Sequence, residues 1–275
     1  MSVATLRAGD VVAAVDTDAG GRLVSLAVDG LELVGGVGAD PLAYGWYPMA
    51  PWAGRLRANE VVGADGTRHA LPATFGGWAI HGTLLAGAWQ VDHVDRGSVR
   101  LSAALGPPWP WPGRATLSWV LGGKELTSQL AVHADAEPFP VVVGWHPWLA
   151  RRLARGGDVE LDVPATLMAE RGADHLPTGR AVAVPAAGPF DDAFAVPVGA
   201  PVRAVWPGAL TLTTTSSTPW YVIYTGADDA VAVEPQTAPP GCFDAPVAGS
   251  GPGWAAPGVP VSAWARWVWE AAGAP

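Results

Sequence analysis

The chain has 275 residues, of which 49% are hydrophobic and 15% charged, a composition that supports a large core and excludes global disorder. Its 16 Lys+Arg against 25 Asp+Glu leave a net charge of −9, so it has no general attraction to phosphate backbones or anionic lipid. Nucleic acid and membrane surfaces are therefore not expected as partners. Cys242 is the only cysteine, and an intrachain disulfide framework is impossible.

The first fifteen residues carry Arg7 and Asp10 and no apolar run of export length. The longest charge-free stretch, 204–227, is interrupted by Pro, Gly, Thr and Ser and is unsuited to spanning a bilayer. The expectation is a soluble, cytoplasmic protein. Strands are expected at 11–16 and 23–28, then at 98–105, where Val99, Leu101, Ala103 and Leu105 alternate with polar residues. Alternation over 115–121 stops at Gly122-Gly123 and resumes at Leu126, Leu130 and Val132, which predicts a hairpin. Further strands are expected at 139–145, 158–163, 210–215, 220–225 and 230–234. A short helical turn is expected within 145–155. Residues 262–272 fit either a helix face or a strand. The 35 Gly and 27 Pro are scattered between apolar runs as turn punctuation. The reading is a single domain over 1–275, all-β, built as a large antiparallel β-sandwich.

Fifteen Trp residues are unusual. Each offers a flat apolar face that either fills a core or stacks on the C–H face of a sugar ring. The six His form no HxH or HxxxH pair, so no dedicated metal site is expected. No phosphate-cradling or dinucleotide-binding motif precedes a helix, so no nucleotide cofactor is expected.

Four segments carry candidate chemistry. In Pro51-Trp52-Ala53-Gly54-Arg55-Leu56-Arg57, Arg55 can present a fork of N–H donors to hydroxyls. In Ala79-Ile80-His81-Gly82, the Gly leaves backbone open to close approach beside a His. Val141-Val142-Val143-Gly144-Trp145-His146-Pro147-Trp148 places an imidazole between indoles at the end of an apolar strand. In Val231-Ala232-Val233-Glu234-Pro235-Gln236, a carboxylate ends an apolar strand and Pro235 is expected to stop ladder pairing. Burial there would raise the carboxyl pKa toward base chemistry near neutrality.

Taken together and in this order, the four segments resemble the aldose 1-epimerase (galactose mutarotase) family. Pro108-Trp109-Pro110-Trp111, Leu176-Pro177-Thr178-Gly179, Phe190-Asp191-Asp192 and Tyr224-Thr225-Gly226 extend the resemblance over nearly the whole chain. The resemblance implies a large β-sandwich with an open cleft, a small sugar as partner, and no metal or organic cofactor. It implies Glu234 as general base and His146 as general acid. It also implies that Arg55, His81 and Asp191 bind hydroxyls or orient the ring, while Asp192 is a neighbouring candidate. Trp148 and Gln236 are added as substrate contacts by adjacency. Gly54 stands where many members have Asn, a departure that bears on substrate contacts. The implied reaction interconverts the α and β anomers of a hexose by acid–base ring opening and closure. Its alternatives are a hexose-6-phosphate 1-epimerase, with Arg57, Arg151 and Arg152 as phosphate cations, and a non-catalytic carbohydrate-binding protein. A bell-shaped pH profile is expected, with Glu234 on its low-pH limb.

Overall fold

The computed structural model describes residues 2–36, 38 and 40–271. Two antiparallel sheets dominate. The larger runs, in spatial order, through Val3–Ala8, Val11–Asp16, Arg22–Val28, Trp46–Met49, Gly144–Ala150, Ala230–Gln236, Trp220–Tyr224, Asp191–Ala195, Leu167–Arg171 and Pro177–Val182. Leu31–Glu32 pairs on the flank of Arg22–Val28. The smaller runs through Glu160–Asp162, Val202–Trp206, Leu210–Ser216, Val261–Ala271, Glu125–Ala134, Gly113–Leu121, Ser98–Ala104 and Gln90–Val94. Among the described residues there is no α-helix, only a short 3₁₀ turn at Arg57–Asn59. No helix is long and apolar enough to cross a membrane.

The period-two pattern sorts side chains between the faces. Leu117, Trp119, Leu130 and Trp267 of the smaller sheet join Val15, Leu23, Trp46, Trp145, Val231 and Val233 of the larger in one buried cluster. Tryptophans seam the two layers. Trp267 packs against Trp46 at 5.4 Å and against Trp119 at 5.9 Å between ring centroids. The indole N–H groups cross the interface: Trp119 donates to the Gly21 carbonyl at 3.0 Å, and Trp145 to the Ser128 hydroxyl at 2.9 Å. Most Trp residues are thus core; the buried N–H groups of Trp46, Trp119, Trp145 and Trp206 find acceptors, while among the described residues those of Trp52 and Trp109 have none. Trp254 and Trp264 remain exposed.

The expected hairpin forms, with Leu121 facing Leu126 and the Gly122 N–H bonded to the Glu125 carbonyl. Three expectations are corrected. The run 139–145 is two strands: Phe139–Val141 pairs with Gly253–Ala255, and Gly144–Ala150 enters the large sheet. The helical turn within 145–155 is instead this second strand, because Trp145 and Leu149 face the core while His146 and Trp148 face away. Pro235 does not end its strand, which continues to Gln236 with Pro235 opposite Tyr221. The ambiguous C-terminal segment is the strand Val261–Ala271, and Ala272 lies outside the described residues.

Candidate active site

The outer face of the large sheet forms the floor of a cleft of about 250 Å³. Register explains which side chains meet there. His146 lies opposite Tyr47 on one side. On the other, pairing of Gly144 with Gln236 and of Trp148 with Ala232 sets His146 across from Glu234. Glu234 in turn faces Val222, and Val222 faces Ala193. One straight row, Tyr47, His146, Glu234, Val222 and Ala193, therefore crosses five strands, and every member lines the cleft. A second row two residues away runs Trp148, Ala232, Tyr224, Asp191. Residues directly opposite on an antiparallel pair hold their Cβ atoms about 5 Å apart. Two segments nearly ninety positions apart in sequence thus deliver an imidazole and a carboxyl to one spot. Gly144 permits this approach, since a Cβ there would stand 2.7 Å from the Pro235 carbonyl oxygen.

His146 Nε2 and Glu234 Oε1 are 3.2 Å apart, with their side chains 7% and 4% exposed. The imidazole stacks on Tyr47 at 4.7 Å and packs against Trp148 at 4.9 Å. Burial drives both groups toward their neutral forms. It lowers the His146 pKa to about 3, with Arg22 adding to the effect. It pushes Glu234 well above the usual carboxyl value; Asp191 raises it further and Arg55 opposes. Both shifts favour a pair that holds a single proton on the carboxyl. Moving that proton across the contact produces a carboxylate and an imidazolium in one step.

Arg55 and His81 come from loops above the floor. The Arg55 segment bridges Ile80 antiparallel. The Arg55 guanidinium lines the cleft and, among the described residues, has no hydrogen-bond or ion-pair partner. Its donors are available to a ligand. His81 Nδ1 accepts the Gly54 N–H at 3.2 Å, which leaves the ring proton on Nε2. Burial, His146 and Arg55 hold the His81 pKa well below its ordinary value, so it stays neutral. His81 has φ +58°, and Gly82 follows at φ +86°. A Cβ on Gly82 would lie 1.9 Å from the Ala50 carbonyl oxygen. Gly82→Ala is expected to cost at least about 2 kcal/mol, from left-handed strain plus this collision. Denaturant unfolding checks it. Gly54 has φ +72°, and Pro240 occupies the space a side chain would need, 2.6 Å from the ideal Cβ. Gly54 and Pro240 together make a smooth apolar wall.

Asp191 and Asp192 both line the cleft, and Arg171 ties them together at 3.3 and 3.1 Å. Tyr47, Arg171 and His175 are cleft residues that the sequence reading passed over. Tyr47 and Arg171 carried no motif, and only register reveals them. His175 sits on a turn at φ +60° that Arg57 anchors, bonding Asp174 at 2.6 Å and the Pro177 carbonyl at 2.9 Å. Trp148 lines the cleft as expected and donates its N–H to the Leu42 carbonyl. Gln236 does not line it. One pleat beyond Glu234 and beside Trp220, it is fully buried, with no hydrogen-bond partner for its amide. Adjacency in sequence misled here, because two residues along a strand are a shift of about 7 Å. Among the described residues, no three His, Cys, Asp or Glu side chains converge as a metal site would require.

Comparison with solved structures shows the same fold at low identity. A GalM/aldose epimerase homologue from C. elegans superposes with a TM-score of 0.84 at 15% identity, over 98% of this chain and 99% of the other. A galactose mutarotase-like protein from Clostridium acetobutylicum gives 0.82 at 16% identity, over 98% and 95%. One from Lactobacillus casei gives 0.81 at 16%, over 98% and 100%. No curated protein matches the sequence significantly. The family model described as aldose 1-epimerase matches residues 2–264, nearly the whole chain and every cleft segment described above, and the chain belongs to the aldose 1-epimerase family.

Proposed function

We propose that the protein is a cofactor-independent mutarotase acting on an unphosphorylated aldose, with Glu234 as base and His146 as acid. The observation that carries this reading is the buried His146–Glu234 contact of 3.2 Å on the cleft floor, where burial drives both groups toward their neutral forms. The ion-pair form of the contact is the reactive one. Glu234 takes the proton of the anomeric hydroxyl while His146 gives its proton to the ring oxygen. The C1–O5 electron pair moves to oxygen, and C1 becomes an aldehyde carbonyl. Rotation about C1–C2 presents the other face, and reversed proton transfers close the opposite anomer. The pair ends with the proton it began with, as a nearly thermoneutral exchange requires. Arg55, neutral His81 and Asp191 supply donors and acceptors for hydroxyls, and Trp148 and Tyr47 supply apolar faces.

Charge supports the choice of an unphosphorylated sugar. The three arginines considered for phosphate are engaged elsewhere: Arg57 with Asp174, Arg152 with Asp158, and Arg151 with the carbonyls of Thr225 and Ala227. Of the cleft's two arginines, Arg171 is matched by two aspartates. A third aspartate, Asp40, stands at the cleft as well. A phosphate would meet one available cation in a field otherwise negative. A glycoside hydrolase needs a second free carboxylate across the bond, and Asp191 and Asp192 are both held by Arg171. A non-catalytic sugar-binding protein would have no use for a buried proton-sharing pair.

Polarimetry with freshly dissolved glucose, galactose and glucose 6-phosphate tests the proposal. Catalysed anomerisation of at least one free hexose is expected, with kcat/KM for the phosphate ester at least about tenfold lower, the scale of a lost charge-assisted contact. Sugar binding without anomerisation of any aldose would replace the enzyme with the binding protein. Preference for the phosphate ester would replace it with the phosphosugar epimerase.

A further inference from the structure

Arg22 opens the strand Arg22–Val28 and is fully buried, yet among the described residues no carboxylate pairs with its guanidinium. Four carbonyls satisfy it instead. Nε donates to Ala19 at 2.8 Å, one terminal nitrogen to Pro41 at 2.8 Å and Tyr44 at 2.7 Å, and the other to Leu85 at 2.8 Å. These bonds reach three separate backbone segments. The guanidinium carbon also stands 4.2 Å from the Tyr44 ring centroid and 5.0 Å from that of Tyr47. A buried cation is costly unless its environment is built for it, and a core made only for packing would place an apolar residue there.

What Arg22 holds is the support of His146. The segment it fixes through Pro41 and Tyr44 carries the Leu42 carbonyl between them. That carbonyl accepts the Trp148 indole N–H at 2.8 Å and the Tyr47 hydroxyl at 3.3 Å. Among the described residues, Tyr47 and Trp148 are two of the three rings against which the His146 imidazole packs, His81 being the third. We infer that Arg22 is a positioning residue for the acid–base pair: by fixing the Leu42 carbonyl and stacking on Tyr47 it sets the orientation of the His146 ring. The Arg22 charge also acts to lower the His146 pKa. This rests on the reading of His146 and Glu234 as the reacting groups. The other ionisable groups facing His146 are Glu234, His81 and Tyr47, with Arg55 and Asp191 acting on Glu234. Asp16 and Asp40 act on Arg22 itself. Removing the Arg22 cation leaves all of these in place, so the second proton should enter the pair at higher pH.

The test compares wild type with Arg22→Gln and Arg22→Lys by polarimetry across pH, with folding checked by near-ultraviolet circular dichroism. In Arg22→Gln, kcat is expected to fall about tenfold or more with KM changed less than about threefold, since small misplacement of a reacting group is felt in the rate. Its acid limb is expected to rise by about half a pH unit or more. Arg22→Lys keeps the charge but not the planar fork, so its kcat is expected to fall while its acid limb stays at the wild-type pH. Folded Arg22→Gln with wild-type kcat and acid limb would overturn the inference. If that variant does not fold, Tyr44→Leu removes one ring beside Arg22 without touching the cleft lining. A reduced kcat, restored by Tyr44→Phe, is then expected, and a wild-type rate in Tyr44→Leu would overturn the inference. If wild type itself shows no anomerisation, the proposed function fails first. The ¹⁵N spectrum of the His146 imidazole then decides: a higher titration midpoint in Arg22→Gln, or altered ring shifts in Tyr44→Leu, supports the positioning role, and wild-type values overturn it.

Discussion

Glu234→Gln is expected to lower anomerisation by about two to four orders of magnitude while leaving sugar affinity within a few-fold of wild type. The amide matches the shape of the carboxyl and still hydrogen-bonds a hydroxyl, but it cannot take and return a proton. The substitution conserves the burial that this position already imposes, so the fold should tolerate it. A second readout follows from proton linkage. Burial raises the Glu234 pKa above that of the unfolded chain. The folded protein therefore keeps a proton that the unfolded chain releases, and the associated stability is complete below about pH 4.5 and lost as pH rises toward the folded pKa. Within that window the slope is about 1.4 kcal/mol per pH unit. Glu234→Gln does not titrate, so it should unfold less readily than wild type at the alkaline end. Calorimetric sugar affinity, polarimetry and melting temperatures against pH measure all three. Unchanged anomerisation in the variant would reject Glu234 as the base.

The sequence makes the sandwich legible because its strands alternate. The hairpin at Gly122-Gly123 and the strand at 210–215 carry period-two patterns, while 11–16 and 220–225 are apolar runs bounded by turn residues. The site was legible only in part. His146 and Glu234 stand out as polar residues within apolar strands, an anomaly visible in one dimension. Their contact is not, because it depends on the register between Gly144–Ala150 and Ala230–Gln236. Tyr47 and Arg171 show nothing locally. Their place in the cleft follows from which strands become neighbours. Gln236 failed for the converse reason: proximity in sequence along a strand moves a side chain away from the row that matters.

Arg22 belongs to a third class. A buried Arg without an acidic partner has no sequence signature, since its partners are backbone carbonyls that any residue supplies. The same holds for Gly54 and Pro240. Their contact across the cleft wall joins residues that read separately as a turn and a proline-rich loop. The structure decides between the two roles that the sequence left open for the Trp residues. Most are committed to the buried core, and among the described residues Trp148 is the one Trp that lines the cleft.

His146→Asn is expected to slow anomerisation at least about a hundredfold, the usual loss for a missing acid or base. Its pH behaviour identifies the limbs of the rate profile. The reactive pair holds one proton, so activity falls when a second proton enters at low pH and when the shared proton leaves at high pH. Glu234 is pushed up and His146 is pushed down to about 3. Where the imidazole titrates, the carboxyl is therefore already protonated. The expected low-pH limb is then that of His146 and the expected high-pH limb that of Glu234, whereas the sequence expectation put Glu234 on the low-pH limb. Linkage gives the matching stability effect. The folded pKa of His146 lies below the unfolded value near 6.5, so its contribution to stability is full above pH 6.5 and is lost as pH falls toward 3. His146→Asn removes that loss, and its melting temperature should decline less steeply than that of wild type on acidification. Residual activity in the variant should also show no acid limb from this group. A folded His146→Asn protein with the wild-type rate would reject the acid assignment. A wild-type acid limb near the ordinary carboxyl range that persists in the variant would return that limb to Glu234 and overturn the order of the two protonations.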